Sequence, residues 1–119
     1  MIQNLAIASD HAGYNLKNYI VHNLKREINL NDFGTNSEES CDFPDFAKEV
    51  CDFVVNNESS RGLLICGSGV GMSISANKIK GIRAANVVDK ETAIQSVEHN
   101  DANVLCLGAN NINDENVID

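Results

Sequence analysis

A three-layer α/β/α sandwich on a five-stranded parallel sheet is the fold this sequence predicts. Short β-rich apolar runs alternate along it with stretches of helical period, and polar, glycine-containing clusters fall where the apolar runs end. Chains show that alternation when helices cover both faces of a parallel sheet. With 119 residues, 43% of them apolar and a single proline, the chain is expected to form one globular domain over residues 1–119, with no disordered low-complexity tract.

Five strands are expected, at Leu5 to Ser9, Ile28 to Phe33, Gly62 to Cys66, Arg83 to Val88 and Asn103 to Leu107. Each precedes a helical candidate. Leu16, Tyr19, Ile20 and Leu24 share one helical face, and so do Phe46, Val50, Phe53 and Val54, with Pro44 and Asp45 suited to a first turn. Further helices are expected after Gly71 and after Asp89. The stretch from Ile112 to Asp119 has the form of a helix start that is cut short.

Composition narrows the function. A formal net charge of −8, with nine Lys and Arg in all, leaves no basic stripe for a nucleic-acid backbone, so nucleic acid is not expected as a partner. The same charge repels anions at long range, so an anion site would depend on local backbone donors and a few nearby cations. No apolar run is long enough for a membrane helix and no secretory leader follows Met1, so a cytoplasmic location is expected, with no membrane partner. The four cysteines, at 41, 51, 66 and 106, lack the paired short spacings of zinc or dithiol sites. No three residues show metal-ligand spacing, and neither a metal nor another cofactor is expected.

Ligands of open parallel sheets bind beyond the carboxyl ends of the strands, so in a Rossmann-like arrangement the residues just after each strand are the candidates. Ser9-Asp10-His11-Ala12-Gly13 ends the first strand and Cys66-Gly67-Ser68-Gly69-Val70-Gly71 ends the third. His99-Asn100-Asp101-Ala102-Asn103 lies ahead of the fifth strand, at the wrong end for its own subunit. Used in catalysis, it would have to serve a symmetry-related neighbour.

The three glycines after Cys66 let the backbone curl so that several N–H groups face one point, next to the positive end of the following helix. Such a nest suits a phosphate or an enediolate oxygen, but a plain tight turn has the same glycines, and the run lacks a P-loop lysine and the dinucleotide spacing. Cys66 adds chemistry, because a thiol at a helix N-terminus sits in positive potential that favours thiolate, the form able to accept a proton. Cys51, in a helical pattern, and Cys106, in an apolar strand, are expected to be buried and structural, as is Cys41. Ser68 fits either turn chemistry or a hydroxyl bonded to a substrate oxygen. Asp10 and His11 fit an anion contact or a helix cap, His99 a general acid or a satisfied turn residue, and His22 a solvent-facing helix position.

Taken together, these motifs resemble the ribose-5-phosphate isomerase B family, which also contains galactose-6-phosphate isomerase subunits. The resemblance runs from Leu5 to about Gly108 and adds Asp32-Phe33-Gly34-Thr35, Ala76-Asn77-Lys78 and Gly81-Ile82-Arg83-Ala84 to the clusters above. It implies metal-free interconversion of ribose 5-phosphate and ribulose 5-phosphate through an enediolate, a step of the pentose phosphate pathway. It further implies a homodimer, or a dimer of dimers, with active sites shared between subunits. By resemblance, Cys66 is the base that moves the proton between C2 and C1, while Gly67, Ser68, Gly69, Val70 and Gly71 hold the enediolate oxygens. His99 of the neighbouring subunit opens the furanose ring, and Asp10, His11 and Asn100 contact the substrate, with His11 near the phosphate. Some relatives place a glutamate base where this chain has Met72, which cannot accept a proton.

Three departures accompany the resemblance. An arginine common after the fifth strand is replaced by Asn110, a tyrosine before the proline of the second connection by Phe43, and the family's last helix and basic tail have no counterpart. The chain is therefore expected to be cut short after Asp119, with fewer phosphate-binding cations. A hexose 6-phosphate substrate and a non-catalytic sugar-phosphate-binding domain are the alternatives to the pentose isomerase.

Overall fold

The computed structural model describes residues 4–24, 28–35, 43–57 and 59–110. Five parallel strands, β1 (Asn4–Ser9), β2 (Asn29–Asp32), β3 (Ser60–Cys66), β4 (Ala84–Asn86) and β5 (Val104–Gly108), form one sheet in the order β2-β1-β3-β5-β4. The helices α1 (Tyr14–Leu24), α2 (Phe43–Asn56), α3 (Val70–Asn77) and α4 (Lys90–Asn100) alternate with them, and a 3-10 turn, His11–Gly13, leads into α1. All five expected strands are present, each end within two residues of its expected place. The helix expected from Ile112 lies outside the described residues, as does Cys41.

Two apolar layers account for the sequence pattern. Ala6, Ala8, Leu64, Cys66, Val104 and Cys106 point to one face and pack with Val50, Cys51 and Val54 of α2 and Met72 and Ala76 of α3. On the opposite face, Ile7, Ile65 and Leu107 meet Leu16 and Ile20 of α1, with Ala93 of α4 alongside. The central strands β1, β3 and β5 are thus buried on both sides and hold continuous apolar runs, while the edge strands tolerate polar residues such as Asn29, Asp32 and Asn86. Edge position also explains why β4 is shorter than its apolar run, since only Ala84 to Asn86 find partners in β5.

Two asparagines of the sequence motifs turn out to be builders. The Asn77 carboxamide donates to the Ala84 carbonyl at 2.9 Å and accepts from its N–H at 2.9 Å, mimicking a strand partner at the end of α3. Asn103 accepts from Arg83 N–H and donates to Gly81 O, both at 2.9 Å, so the two side chains hold the loop between α3 and β4.

Lys17 of α1 is 1% exposed, and its ammonium donates to both Asp32 oxygens, at 2.9 and 2.8 Å. The lysine lies on the face of α1 that Leu16 and Ile20 bury, with the Tyr14 ring 5.8 Å from its Nζ. A buried charge has to be paired, and Asp32, one-third exposed at the end of β2, is its carboxylate. The two partners are not equivalent on removal. Asp32→Asn strands a desolvated ammonium and is expected to cost about 3 kcal/mol, whereas Lys17→Met leaves a carboxylate that water can reach and should cost less. Urea unfolding of the two variants measures the difference, and equal losses would contradict this account.

Candidate active site

From β1 the chain moves to one side of the sheet, to β2, and then returns past β1 to β3 on the other. Where successive connections leave in opposite directions, the loops part and a crevice opens at the carboxyl ends of the strands. Asp10 and His11 stand on the β1 side of that crevice and Cys66 to Gly71 on the β3 side. The two walls touch. Asp10 N–H donates to Ile65 O at 3.2 Å, and Gly13 lies so close to β3 that a Cβ there would sit 2.6 Å from Ile65 O.

Asp10 is buried, and its Oδ1 accepts from Ala12 N–H at 3.0 Å and Gly13 N–H at 3.2 Å. Of its two sequence readings, the cap is the one seen. His11 is exposed and opens the 3-10 turn, where a plain loop was expected.

Across the crevice, Cys66 is the last residue of β3 and 6% exposed. Its Sγ accepts a hydrogen bond of 3.0 Å from Gly69 N–H. Gly69 reaches this position with φ at +85°, left-handed backbone that a side chain would strain, and it caps α3 without a side chain of its own. Helix α3 starts at Val70, two residues ahead of the start expected after Gly71. Of its first four N–H groups, Val70 donates to Ser68 Oγ at 3.2 Å and Ser73 to Gly69 O at 3.0 Å, leaving Gly71 and Met72 N–H without intrahelical acceptors. Ser68 therefore does serve the turn, but as an acceptor, which leaves its O–H to donate elsewhere.

The loop after β5 completes the wall. Ala109 N–H donates to Cys66 O at 2.8 Å and Asn110 N–H to Gly67 O at 3.0 Å. The Asn110 carboxamide, where the resemblance led to an expected arginine, lies against Gly67.

His99 and Asn100 are not in this crevice. They form the end of α4 rather than a loop, which terminates where Asp101 turns left-handed at φ 54 and sends its N–H to Ser96 O and Val97 O. Asn100 O accepts from Arg83 Nε at 3.1 Å. Because α4 runs back to the edge where β5 begins, the rise of that strand alone, about 13 Å, separates these residues from the carboxyl-end crevice of their own chain. A 3.6-residue period through Ala93, Ser96 and Asn100 was the signal for a helix here; the run of polar residues at its end obscured it.

The cysteines divide as expected. Cys51 and Cys106 are wholly buried. Burial pushes the Cys51 thiol up to about 12, with the nearby Asp52 charge adding to the effect. Cys106 is pushed up further, first by burial and then by Cys51 and Cys66 beside it. Neither thiol ionises readily. His22 is exposed on α1, and no three His, Cys, Asp or Glu side chains among the described residues converge as metal ligands. No helix among them is long and apolar enough to cross a membrane.

With the crevice defined, comparison with known proteins identifies its kind. The family model described as Ribose/Galactose Isomerase matches residues 5–119. The chain belongs to that family. Among its relatives, the probable ribose-5-phosphate isomerase B of Mycoplasma genitalium is 46% identical over 118 residues, which covers 96% of this chain and 78% of the relative. Ribose-5-phosphate isomerase B of Clostridium thermocellum superposes with a TM-score of 0.93 at 46% identity, covering 98% of this chain and 79% of that one. The Mycoplasma genitalium ribose-5-phosphate isomerase B with bound ribulose-5-phosphate gives 0.92 at 45% identity, covering 99% and 80%. The five-stranded α/β fold of this chain is the fold of the family.

Two residues that border this family member's crevice escaped the sequence reading: Lys17, whose partner Asp32 ends β2, and Asn86, whose side chain lies against Gly69. Lys17 could have been found by its place in an apolar helical stripe; Asn86 could not, because the expected strand ran on to Val88 and put it mid-strand, where the rule that singled out Cys66 does not reach. The thiol environments lead to an ordered outcome: iodoacetamide at neutral pH should modify Cys66 well before Cys51 or Cys106. Peptide mass mapping of the native chain checks the order, and early labelling of either buried thiol would contradict it.

Proposed function

We propose that this chain interconverts ribose 5-phosphate and ribulose 5-phosphate as a single isomerase domain spanning residues 1–119. The observation that supports it most is the thiol of Cys66, placed at the rim of the crevice with an N–H aimed at its sulfur and the start of α3 beside it. Moving a hydrogen between neighbouring carbons needs a base next to donors that receive the charge it releases.

In the proposed reaction the Cys66 thiolate removes the proton on C2 of the open-chain sugar. The C–H electron pair forms a C1–C2 double bond, and negative charge passes to the C1 oxygen. The free N–H groups at Gly71 and Met72 and the Ser68 hydroxyl are the donors available to it. A proton then passes from the C2 hydroxyl to the C1 oxygen, the C2 carbonyl forms, and Cys66 returns its proton at C1. The steps use only side chains and backbone of the protein. His11 is assigned to the phosphate end, and Gly67, Gly69 and Val70 to the backbone cradle.

His99, the proposed ring-opening acid, must come from a second copy, because α4 carries it away from its own crevice. Ile94 and Val97 leave apolar surface exposed on the same helix, where Ile94 lines a shallow groove together with Glu91, Gln95, Glu98 and His99. That is the surface a symmetric partner would cover, bringing His99 and Asn100 to its neighbour's Cys66.

Purified protein is expected to turn over ribose 5-phosphate in preference to a hexose 6-phosphate run alongside, and Cys66→Ala should lower kcat by about a thousandfold or more while binding persists. Near-normal turnover by that variant would remove Cys66 from the role of base, and faster turnover of the hexose would move the substrate assignment. Mixing inactive Cys66→Ala and His99→Asn chains should restore about a quarter of wild-type activity, since half of random dimers then hold one intact site. No recovery in verified mixed dimers would refute the shared site.

A further inference from the structure

We infer that Asn86 is a positioning residue for Cys66, acting through Gly69; the inference rests on the reading of Cys66 as the base. The loop from Gly67 to Gly69 crosses the end of β5 and comes down on the edge strand β4. There the Asn86 side chain occupies the space a Gly69 side chain would need. A Cβ on Gly69 would overlap Asn86 Oδ1 and lie 3.1 Å from both Asn86 Cγ and the carbonyl carbon of Leu107. The glycine is held between a strand backbone and this carboxamide.

What Gly69 does makes the wedge matter. Its N–H is the donor to Cys66 Sγ, and with glycines at 67 and 69 the intervening backbone has few constraints of its own. Asn86, by contrast, is anchored. It pairs with Cys106 in the sheet, and the next residue, Val87, is buried and donates its N–H to Cys106 O at 3.0 Å. The exposed carboxamide, carried on anchored strand backbone, thus borders a permissive stretch of loop and sets the direction of the N–H aimed at the sulfur. The wall is also neutral, so it adds no charge next to the thiolate. Among the described residues, Cys106 on β5 and Cys51 on α2 share the apolar layer of Cys66 and are both kept as thiols by burial, and Asp10 at the end of β1 donates its N–H to Ile65 O, one residue before the thiol.

Two variants test the assignment, read by the pH dependence of iodoacetamide labelling at Cys66 and by kcat and KM on ribose 5-phosphate. Asn86→Ala removes the wall and is expected to lower kcat about tenfold, with KM changed by less than about threefold, and to move the labelling midpoint to higher pH. Asn86→Asp keeps the shape but adds a charge, so its midpoint should rise too, with a melting temperature close to that of the parent. An Asn86→Ala protein that melts like the parent and keeps both its labelling profile and its kcat overturns the inference. Should that variant fail to fold, an unshifted midpoint in Asn86→Asp overturns it alone. Labelling needs no substrate, so shifted midpoints in a protein that isomerises no sugar phosphate would uphold Asn86 while refuting Cys66 as the base.

Discussion

An ammonium buried in the first helix sets the frame for one wall of the crevice. Lys17 can be accommodated there only with a carboxylate, and Asp32 provides it where β2 ends. The same Asp32 Oδ1 accepts from Gly34 N–H at 2.9 Å, Gly34 O accepts from Ser9 N–H at 2.8 Å, and Thr35 N–H donates to Ser9 O at 2.9 Å. Through these bonds the pair ties the exits of β1 and β2 together just before Asp10 turns the chain into α1. An ion pair of this kind contributes little net stability compared with apolar packing, and its place in the structure is to hold the two strand exits at a fixed distance through the bonds Asp32 accepts.

The opposite wall relies on glycine and on hydrogen bonds rather than charge. The chain from Cys66 to Gly69 folds back so that an amide meets the sulfur, and the loop after β5 clasps it through Ala109 and Asn110. A chain with a formal charge of −8 cannot draw an anion in by its overall field. Oriented amides at a helix start can still hold one at short range, where the local dipoles outweigh distant carboxylates.

Three cysteines share one apolar layer yet have separate chemistry. Cys51 and Cys106 sit inside it, with no donor to stabilise a thiolate among the described residues, and burial holds their protons on. Cys66 belongs to the same layer but ends its strand, so its sulfur lies where packing gives way to the loop. Position along the strand separates a thiol enclosed by the core from one at its margin.

The sequence by itself determined the fold class and the β3 half of the crevice. Strand and helix periods are local properties, and so are the glycines that let the backbone after Cys66 curl. The cap at Asp10 was one of two open readings, because a short carboxylate before a helix serves either role. His99 was read as a loop residue, since polar side chains hid a helix whose period continued through them, although its distance from its own crevice was already implied by chain order. What only the tertiary structure decided were contacts between elements far apart in sequence: Lys17 with Asp32, Asn86 with Gly69, and Asn110 with Gly67. Each depends on which strands become neighbours and in what register, and the order β2-β1-β3-β5-β4 is set by the packing of the whole sheet, which no local pattern encodes.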